Sequence, residues 1–126
     1  MIFQLDRTDD FPDPRYGNED GFYAVGGGVT AERLAKSYPL GIFPYFAFRY
    51  RPVMWWAPQE RFVIFPDEIH ISHSMRNLMN KKRFHCTINQ AFPDVLAGCA
   101  DTDDRIDEDN AWLGPDLLDT WMILNE

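Results

Sequence analysis

The chain has 126 residues, the length of one ordinary domain, and 45% of them are apolar, which is enough for a core. No run approaches the roughly 20 apolar residues of a membrane span and the first ten residues lack a signal-peptide pattern, so we expect a cytoplasmic protein with no membrane partner. The net charge is −8, but residues 1–100 carry eleven acidic and eleven basic side chains and the whole excess lies in 101–126, so the acidity does not exclude a nucleic acid partner.

The first third of the chain is rich in turn-forming glycine and proline. The triple glycine at 26–28 lacks the Gly-Lys-Ser/Thr ending of a P-loop and the spacing of a dinucleotide fingerprint, and no strong strand pattern precedes it. We therefore interpret it as a turn. Thr30 is a suitable N-cap for a helix over 31–38, which Pro39 ends.

An aromatic segment stiffened by proline follows, from Gly41 to Phe46, and Trp55-Trp56-Ala57-Pro58 comes soon after it. We expect loop and short extended pieces here. Aromatic rings on a stiff backbone form flat surfaces on which an unpaired base can stack. Simple core packing is the other interpretation, and the residue types alone leave both open.

Residues 61–100 alternate between strand and helix patterns. Residues that favour strands predict β-strands at 61–65 and 84–88. Ser72 or Ser74 can cap a helix to about residue 82, and Asn89 can cap another to about residue 100. In the first helix we expect the basic side chains to point outward and three apolar ones inward: Met75, Leu78 and Met79.

A basic run lies at the end of that first helix. Arg76, Lys81, Lys82 and Arg83 occur without any acidic residue between positions 69 and 94. Such side chains can neutralise a phosphate backbone whatever its sequence. They are equally compatible with an ordinary exposed helix face.

The sequence offers little support for a metal or hydrolytic site. His70 and His73 have ligand-like spacing, but the cysteines form no paired motif, so we expect neither metal nor cofactor. The serines beside His73 occupy capping positions and lack a nucleophile-elbow motif. Cys86 and Cys99 lie in apolar settings, and we expect reduced core thiols.

The C-terminal part combines an acidic stretch with an apolar helix pattern. Residues 101–110 are expected to form a solvated loop, and a helix should follow Pro115, with its apolar residues at Leu117, Leu118, Trp121, Met122 and Leu124. Two or three strands for four helices make a thin scaffold. We therefore expect the first part of a larger α/β unit.

Together these motifs resemble the bacterial leucyl/phenylalanyl-tRNA–protein transferases. Several short motifs of that family occur in its order: FPDP (family FP-x-P), GFYAVGGGVT (GLLAxGGDL(S/T)), GIFPYF (GIFPWF), MWWAP (hWWSP), HIS-H-SM (HIS-x-SM), N-x-AF-x-x-V-x-x-CA with Gly98 before Cys99, and AWL (TWI) at 111–113. Gly28 replaces the family's usual acidic residue, and Tyr45 replaces its signature tryptophan.

The resemblance implies a function and a fold. The family moves Leu or Phe from aminoacyl-tRNA to the N-terminal Arg or Lys of a protein, which tags that protein for the N-degron degradation pathway; DNA is not a partner. The implied fold is α+β, with a small N-terminal α+β domain at 1–62 and, at 63–126, the opening strand and two helices of an acetyltransferase-like (GNAT-type) domain. A non-catalytic fragment or binding module that keeps part of the tRNA surface is the alternative.

The resemblance also implies roles for particular residues. Tyr45 stands where the family stacks an aromatic ring on the 3′-terminal adenosine, and Trp112 stands at the family's pocket near the aminoacyl end. The basic run of Arg76, Lys81, Lys82 and Arg83 falls in its positive patch for the acceptor stem. The family's catalytic Asp and Gln come later than residue 126, so we expect no catalytic residue in this chain, which would be an incomplete, N-terminal portion of the enzyme.

Overall fold

A four-stranded sheet organises the residues that the computed structural model describes, which are 1–8, 10–45, 52–100 and 113–126. The strands are β1 (Phe3–Leu5), β2 (Phe22–Gly26), β3 (Phe43–Tyr45) and β4 (Met54–Trp56). The α-helices are α1 (Ala31–Ser37), α2 (His73–Asn80), α3 (Phe92–Ala100) and α4 (Pro115–Leu124). Short 3-10 turns lie at Pro14–Tyr16, Tyr38–Leu40 and Pro66–Glu68. The expected mixture of helix and strand is confirmed.

The sheet has the order β1-β2-β4-β3, with β1 parallel to β2 and the other pairs antiparallel. Directly opposite residues share a face of a sheet. One face carries the buried row Ala24, Trp55 and Pro44; the other carries the half-buried rows Phe22, Trp56 and Phe43, and Val25, Met54 and Tyr45. The two tryptophans therefore point to opposite faces: Trp55 is fully buried as expected for core, but Trp56 and Phe43 are only partly covered.

The glycine turn follows strand β2 directly, so our expectation that no strand precedes it was wrong. Its three glycines have φ values of 97°, 77° and 69°, a region that side chains with a Cβ rarely adopt. The turn interpretation is thereby confirmed. A Cβ on Gly26 would lie 2.5 Å from the carbonyl oxygen of Leu5, so this glycine also lets β1 approach β2.

Helix α1 begins where the sequence predicts. The Thr30 side chain accepts a hydrogen bond from the backbone N–H of Arg33 at 3.2 Å, which is a standard N-cap. The helix ends at Ser37, and Pro39 lies in the 3-10 turn that follows. Leu34 and Ser37 are fully buried against the sheet side of the core.

The core joins the sheet, α1 and α4. Tyr23, Leu34, Ile42, Trp55 and Leu117 are essentially inaccessible to solvent, and the last of these comes from α4. The expected C-terminal helix is confirmed over Pro115–Leu124. A hydrogen bond of 2.6 Å from the indole N–H of Trp121 to the Tyr38 hydroxyl also fastens α4 beside α1. The division into domains at residue 62 stays a prediction.

The two strands predicted at 61–65 and 84–88 are absent from the structure. Both segments are exposed and irregular. A strand exists only where a neighbour pairs with its backbone groups, and no described residue pairs with either segment. Residue preference alone was therefore insufficient.

Helix α2 has its predicted cap but not its predicted burial. The Ser72 side chain accepts from the backbone N–H of Met75 at 3.3 Å. Met75, Leu78 and Met79 are exposed, however, because no described element covers their side of the helix. The basic side chains of the run also point to solvent, as expected.

The start of α3 and the state of the cysteines correct two further predictions. Asn89 has φ 56°, whereas an N-cap residue needs extended backbone, and the helix starts at Phe92 instead. Cys86 and Cys99 are free thiols but exposed, not core residues. The acidic stretch 101–110 lies outside the described residues. In the part of the chain that is described, no helix is long and apolar enough to cross a membrane.

Candidate substrate-binding surface

Tyr45 ends strand β3 on the half-buried face of the sheet. Its ring meets Trp56 nearly edge-on, with centroids 6.4 Å apart and planes at 76°. Phe22 packs on the other side of Trp56 at 5.2 Å and 43°. We call Phe22, Trp56 and Tyr45 the aromatic row. All three are partly accessible, so the row combines support from the sheet with surface that a flat ligand can contact.

The backbone around the aromatic row is firmly held. Pro44 lies buried in the middle of β3, and Gly41 turns the chain into that strand with φ 71°. The guanidinium of Arg61 donates to the carbonyl oxygens of Gly41 (2.6 Å) and Pro58 (2.9 Å). Arg61 thus ties the start of β3 to the chain that leaves β4. Nothing in the sequence pattern indicated this role for Arg61.

The indole N–H of Trp56 is buried and has no hydrogen-bond partner among the described residues. An unmade hydrogen bond of this kind costs about 1–3 kcal/mol. Trp55 differs, since its indole N–H donates to the carbonyl oxygen of Gly26 at 2.9 Å. The signal that could have separated the two tryptophans is the alternation of β4, which sends neighbours to opposite faces.

Arg33 holds the opposite side of the sheet together. It is buried, and its guanidinium carbon lies 4.7 Å from the ring centre of Phe11 and 5.7 Å from that of Trp55. One of its nitrogens also donates to the carbonyl oxygen of Asp6 at 3.3 Å. These contacts are cation–π and hydrogen-bond contacts within the core. We assign Arg33 a structural part beneath the sheet, remote from the half-buried face.

Trp112 lies outside the described residues, so its part in a pocket with Tyr45 stays a prediction. Leu113, which follows it, is buried in the same core as Trp55. The basic run is described throughout: Arg76 lies in α2, and Lys81, Lys82 and Arg83 follow that helix, all exposed. Within the described ranges none of the four forms a salt bridge. No described contact joins the run to Tyr45.

Two concavities lie away from the aromatic row. An apolar groove of about 430 Å³ runs between α3 and α4, lined mainly by Phe92, Val95, Leu96, Cys99, Trp121 and Leu124. A polar cleft of about 410 Å³ lies beside the glycine turn, with Arg7, Asp116 and Asp119 among its lining residues. Across the described residues, no group of three or more His, Cys, Asp or Glu side chains is placed to hold a metal ion.

The shifted pKa values belong to surface pairs and to buried tyrosines. Hydrogen bonds from Arg15 lower the pKa of Asp13 to about 2, and Lys36 lowers the pKa of Asp10. Burial raises the pKa of Tyr23 to about 12, with a further contribution from Asp13. Burial also raises the pKa of Tyr38. None of these four residues belongs to the aromatic row, so they indicate structure and not acid–base chemistry at the row.

Comparison with known proteins connects this surface to a family. The family model for leucyl/phenylalanyl-tRNA protein transferase matches residues 63–126, which is half of the chain. Curated relatives named leucyl/phenylalanyl-tRNA–protein transferase include one from Pectobacterium atrosepticum, 39% identical over 118 residues that make up 92% of this chain and 48% of the relative. One from Syntrophus aciditrophicus is 41% identical over 116 residues, 92% of this chain and 48% of the relative.

A third relative, from Anaeromyxobacter sp. (strain Fw109-5), is 36% identical over 124 residues, 98% of this chain and 52% of the relative. The chain therefore spans about half the length of the curated relatives it matches. The family model and the relatives agree on the same name across both halves of these 126 residues. The chain belongs to the leucyl/phenylalanyl-tRNA–protein transferase family.

Proposed function

We propose that this chain supplies part of the aminoacyl-tRNA surface of an enzyme that transfers Leu or Phe from tRNA to the N-terminal Arg or Lys of proteins. The relatives' name supports the reaction class. The amino-acid ester of the tRNA is already activated, so such an enzyme chiefly has to hold the terminal adenosine and align an incoming amine. The pathway we propose is N-degron degradation in the cytoplasm.

Tyr45 is the proposed platform for the 3′-terminal adenosine. The observation that carries this proposal is the aromatic row, in which Tyr45 is partly exposed and braced edge-on by Trp56. A braced ring loses little freedom when a base stacks on it, and stacking on an aromatic side chain contributes about 1–3 kcal/mol per base. Trp112 is proposed to contact the aminoacyl end. We assign the chemistry of transfer to residues outside this chain.

The first experiment measures binding of a phenylalanyl-adenosine analogue to the 126-residue chain. Tyr45→Ala should weaken binding at least tenfold, because it removes the stacking face. Tyr45→Trp should bind at least as tightly as the wild-type chain, because it enlarges that face. Tyr16→Ala is the matched control, since Tyr16 is also exposed but lies outside the aromatic row. Equal losses for Tyr16→Ala and Tyr45→Ala would refute the assignment.

The second experiment separates an enzyme from a binding module. The chain is incubated with charged tRNA and a peptide that begins with Arg, with a peptide that begins with Ala as the control. Analogue binding without transfer to either peptide is expected from these 126 residues alone. Transfer to the Arg peptide would show that they already contain the catalytic groups. Absence of both binding and transfer would contradict the proposed surface.

A further inference from the structure

The described residues between 58 and 100 form an apolar surface that the rest of the chain does not cover. From 60 to 90 every residue is exposed except Ile71, and no residue of 58–100 belongs to the main core except Ala100, which packs against its edge. We call this the uncovered surface, and it has three parts. They are the segments 61–65 and 84–88, the apolar side of α2 (Met75, Leu78 and Met79), and the groove between α3 and α4.

Its side chains are the kind that normally lie inside a protein. Ile64 is 75% exposed and Phe84 is 79% exposed, and the other large apolar side chains of both segments resemble them. A continuous exposed apolar area of this kind marks an interaction site. Burial of one such side chain contributes about 1.5–3 kcal/mol, so covering the whole surface would supply a large driving force.

The backbone of the two segments is also unpaired. Among described residues no backbone hydrogen bond involves 83–88, and in 61–65 only the carbonyl oxygen of Phe65 accepts one, from Glu68. Both segments are rich in residues that favour strands. A partner that lays strands beside them would satisfy these groups and bury the apolar side chains together.

We propose that the uncovered surface binds the polypeptide that corresponds to the half of the relatives' length that this chain does not span, and that 61–65 and 84–88 become strands on binding. Two observations select this occupant. The curated relatives are about twice as long as the part that matches. The uncovered surface also falls largely within the family-matched residues 63–126, while the N-terminal sheet already has its own core. The inference is independent of the role proposed for Tyr45.

The test co-expresses the tagged chain with the section of the Pectobacterium atrosepticum relative that lies outside the matched region. We expect a one-to-one complex in which the amides of 61–65 and 84–88 exchange with deuterium at least tenfold more slowly than in the chain alone. Ile64→Asp should reduce recovery of the complex at least tenfold. Ile2→Asp is the control, because Ile2 is 50% exposed but lies outside the uncovered surface.

Three outcomes would overturn the proposal. One is a complex that tolerates Ile64→Asp as well as Ile2→Asp, and another is exchange at 61–65 and 84–88 that does not slow. The third is a stable dimer of the chain alone that already protects these amides, which would make a second copy the occupant. If the two pieces do not accumulate separately, exchange is measured on a single-chain fusion of them, and a fusion with both segments unprotected also contradicts the proposal.

Discussion

Trp56 sets the position of Tyr45, because its ring lies between Tyr45 and Phe22 in the aromatic row. Trp56→Leu keeps an apolar side chain but removes the edge-on contact, worth about 0.5–1.5 kcal/mol. We therefore expect binding of the phenylalanyl-adenosine analogue to weaken by about twofold to tenfold. The indole N–H lacks a described partner, so Trp56→Phe should retain most of the binding. A larger reduction with Phe than with Leu would show that the N–H, and not the ring, is needed.

Tyr23 gives the chain a stability that depends on alkaline pH. Its hydroxyl donates to the carbonyl oxygen of Pro12, and burial raises its pKa to about 12. Because the folded pKa lies above the unfolded value of about 10, the contribution is complete below pH 10 and is lost as pH rises towards 12. Between pH 9 and pH 11 we expect the wild-type chain to lose about 1.4 kcal/mol more unfolding free energy than Tyr23→Phe.

The measurement for Tyr23 is urea unfolding of both proteins at pH 9, 10 and 11. Tyr23→Phe should itself be less stable at pH 7 by about 1 kcal/mol, because the Pro12 carbonyl loses its donor. Tyr38 also has a raised pKa, but it is present in both proteins, so the comparison cancels its effect. Parallel pH profiles would show that Tyr23 is not responsible for alkaline destabilisation.

The pairing of β1 with β2 depends on one glycine. Gly26→Ala places a Cβ at φ 97° and 2.5 Å from the Leu5 carbonyl oxygen, so the strands must separate. We expect a decrease of about 3 kcal/mol in unfolding free energy. Gly28→Ala is the control: its φ is 69°, but its Cβ would meet nothing within 4 Å, so only a strain of about 1 kcal/mol applies. Urea unfolding checks both, and equal decreases would mean that close strand approach is unimportant.

Elements defined by neighbouring residues were predictable from the sequence, and elements defined by distant partners were not. Thr30 and Ser72 cap their helices as expected, since a cap involves residues only three apart. Strand β1 is three residues long and pairs with residues about twenty positions away, so no local pattern marks it. Segments 61–65 and 84–88 failed for the converse reason, because they have the composition of strands without a described partner.

The candidate site divides in the same way. The position of Tyr45 followed from an ordered set of motifs that resemble the family. Its bracing by Trp56 and Phe22 could not be predicted, because it depends on the register of β2, β4 and β3, including an irregularity between Phe22 and Ala24. The clamp formed by Arg61 depends on a backbone turn at Gly41, twenty residues earlier. Sequence therefore located the site, and only the fold supplied its geometry.

At the scale of the whole molecule, charge is separated along the chain. Residues 1–100 are balanced, and the region 101–126 carries the excess of −8. Different regions of one molecule thus differ in their attraction for phosphate, which constrains how a nucleic acid can approach. The basic run is the described group of cations without acidic neighbours in sequence, so we expect tRNA to approach from its side and the acidic region to face away.

This orientation predicts how tRNA binding responds to salt. Removing one cation that contacts a phosphate should reduce the slope of log affinity against log salt by about 0.7–0.9. Replacing Lys82 and Arg83 together by Ala should therefore lower the slope by up to about 2, while binding of the phenylalanyl-adenosine analogue stays unchanged. Lys36→Ala is the control, since Lys36 is an exposed cation that pairs with Asp10 at 2.8 Å and lies outside the run. Filter binding between about 50 and about 300 mM salt, roughly the range over which phosphate contacts dominate, measures both variants. An unchanged slope for the Lys82 and Arg83 variant would return the run to an ordinary solvated surface, whereas an equal change for Lys36→Ala would indicate a general effect of net charge.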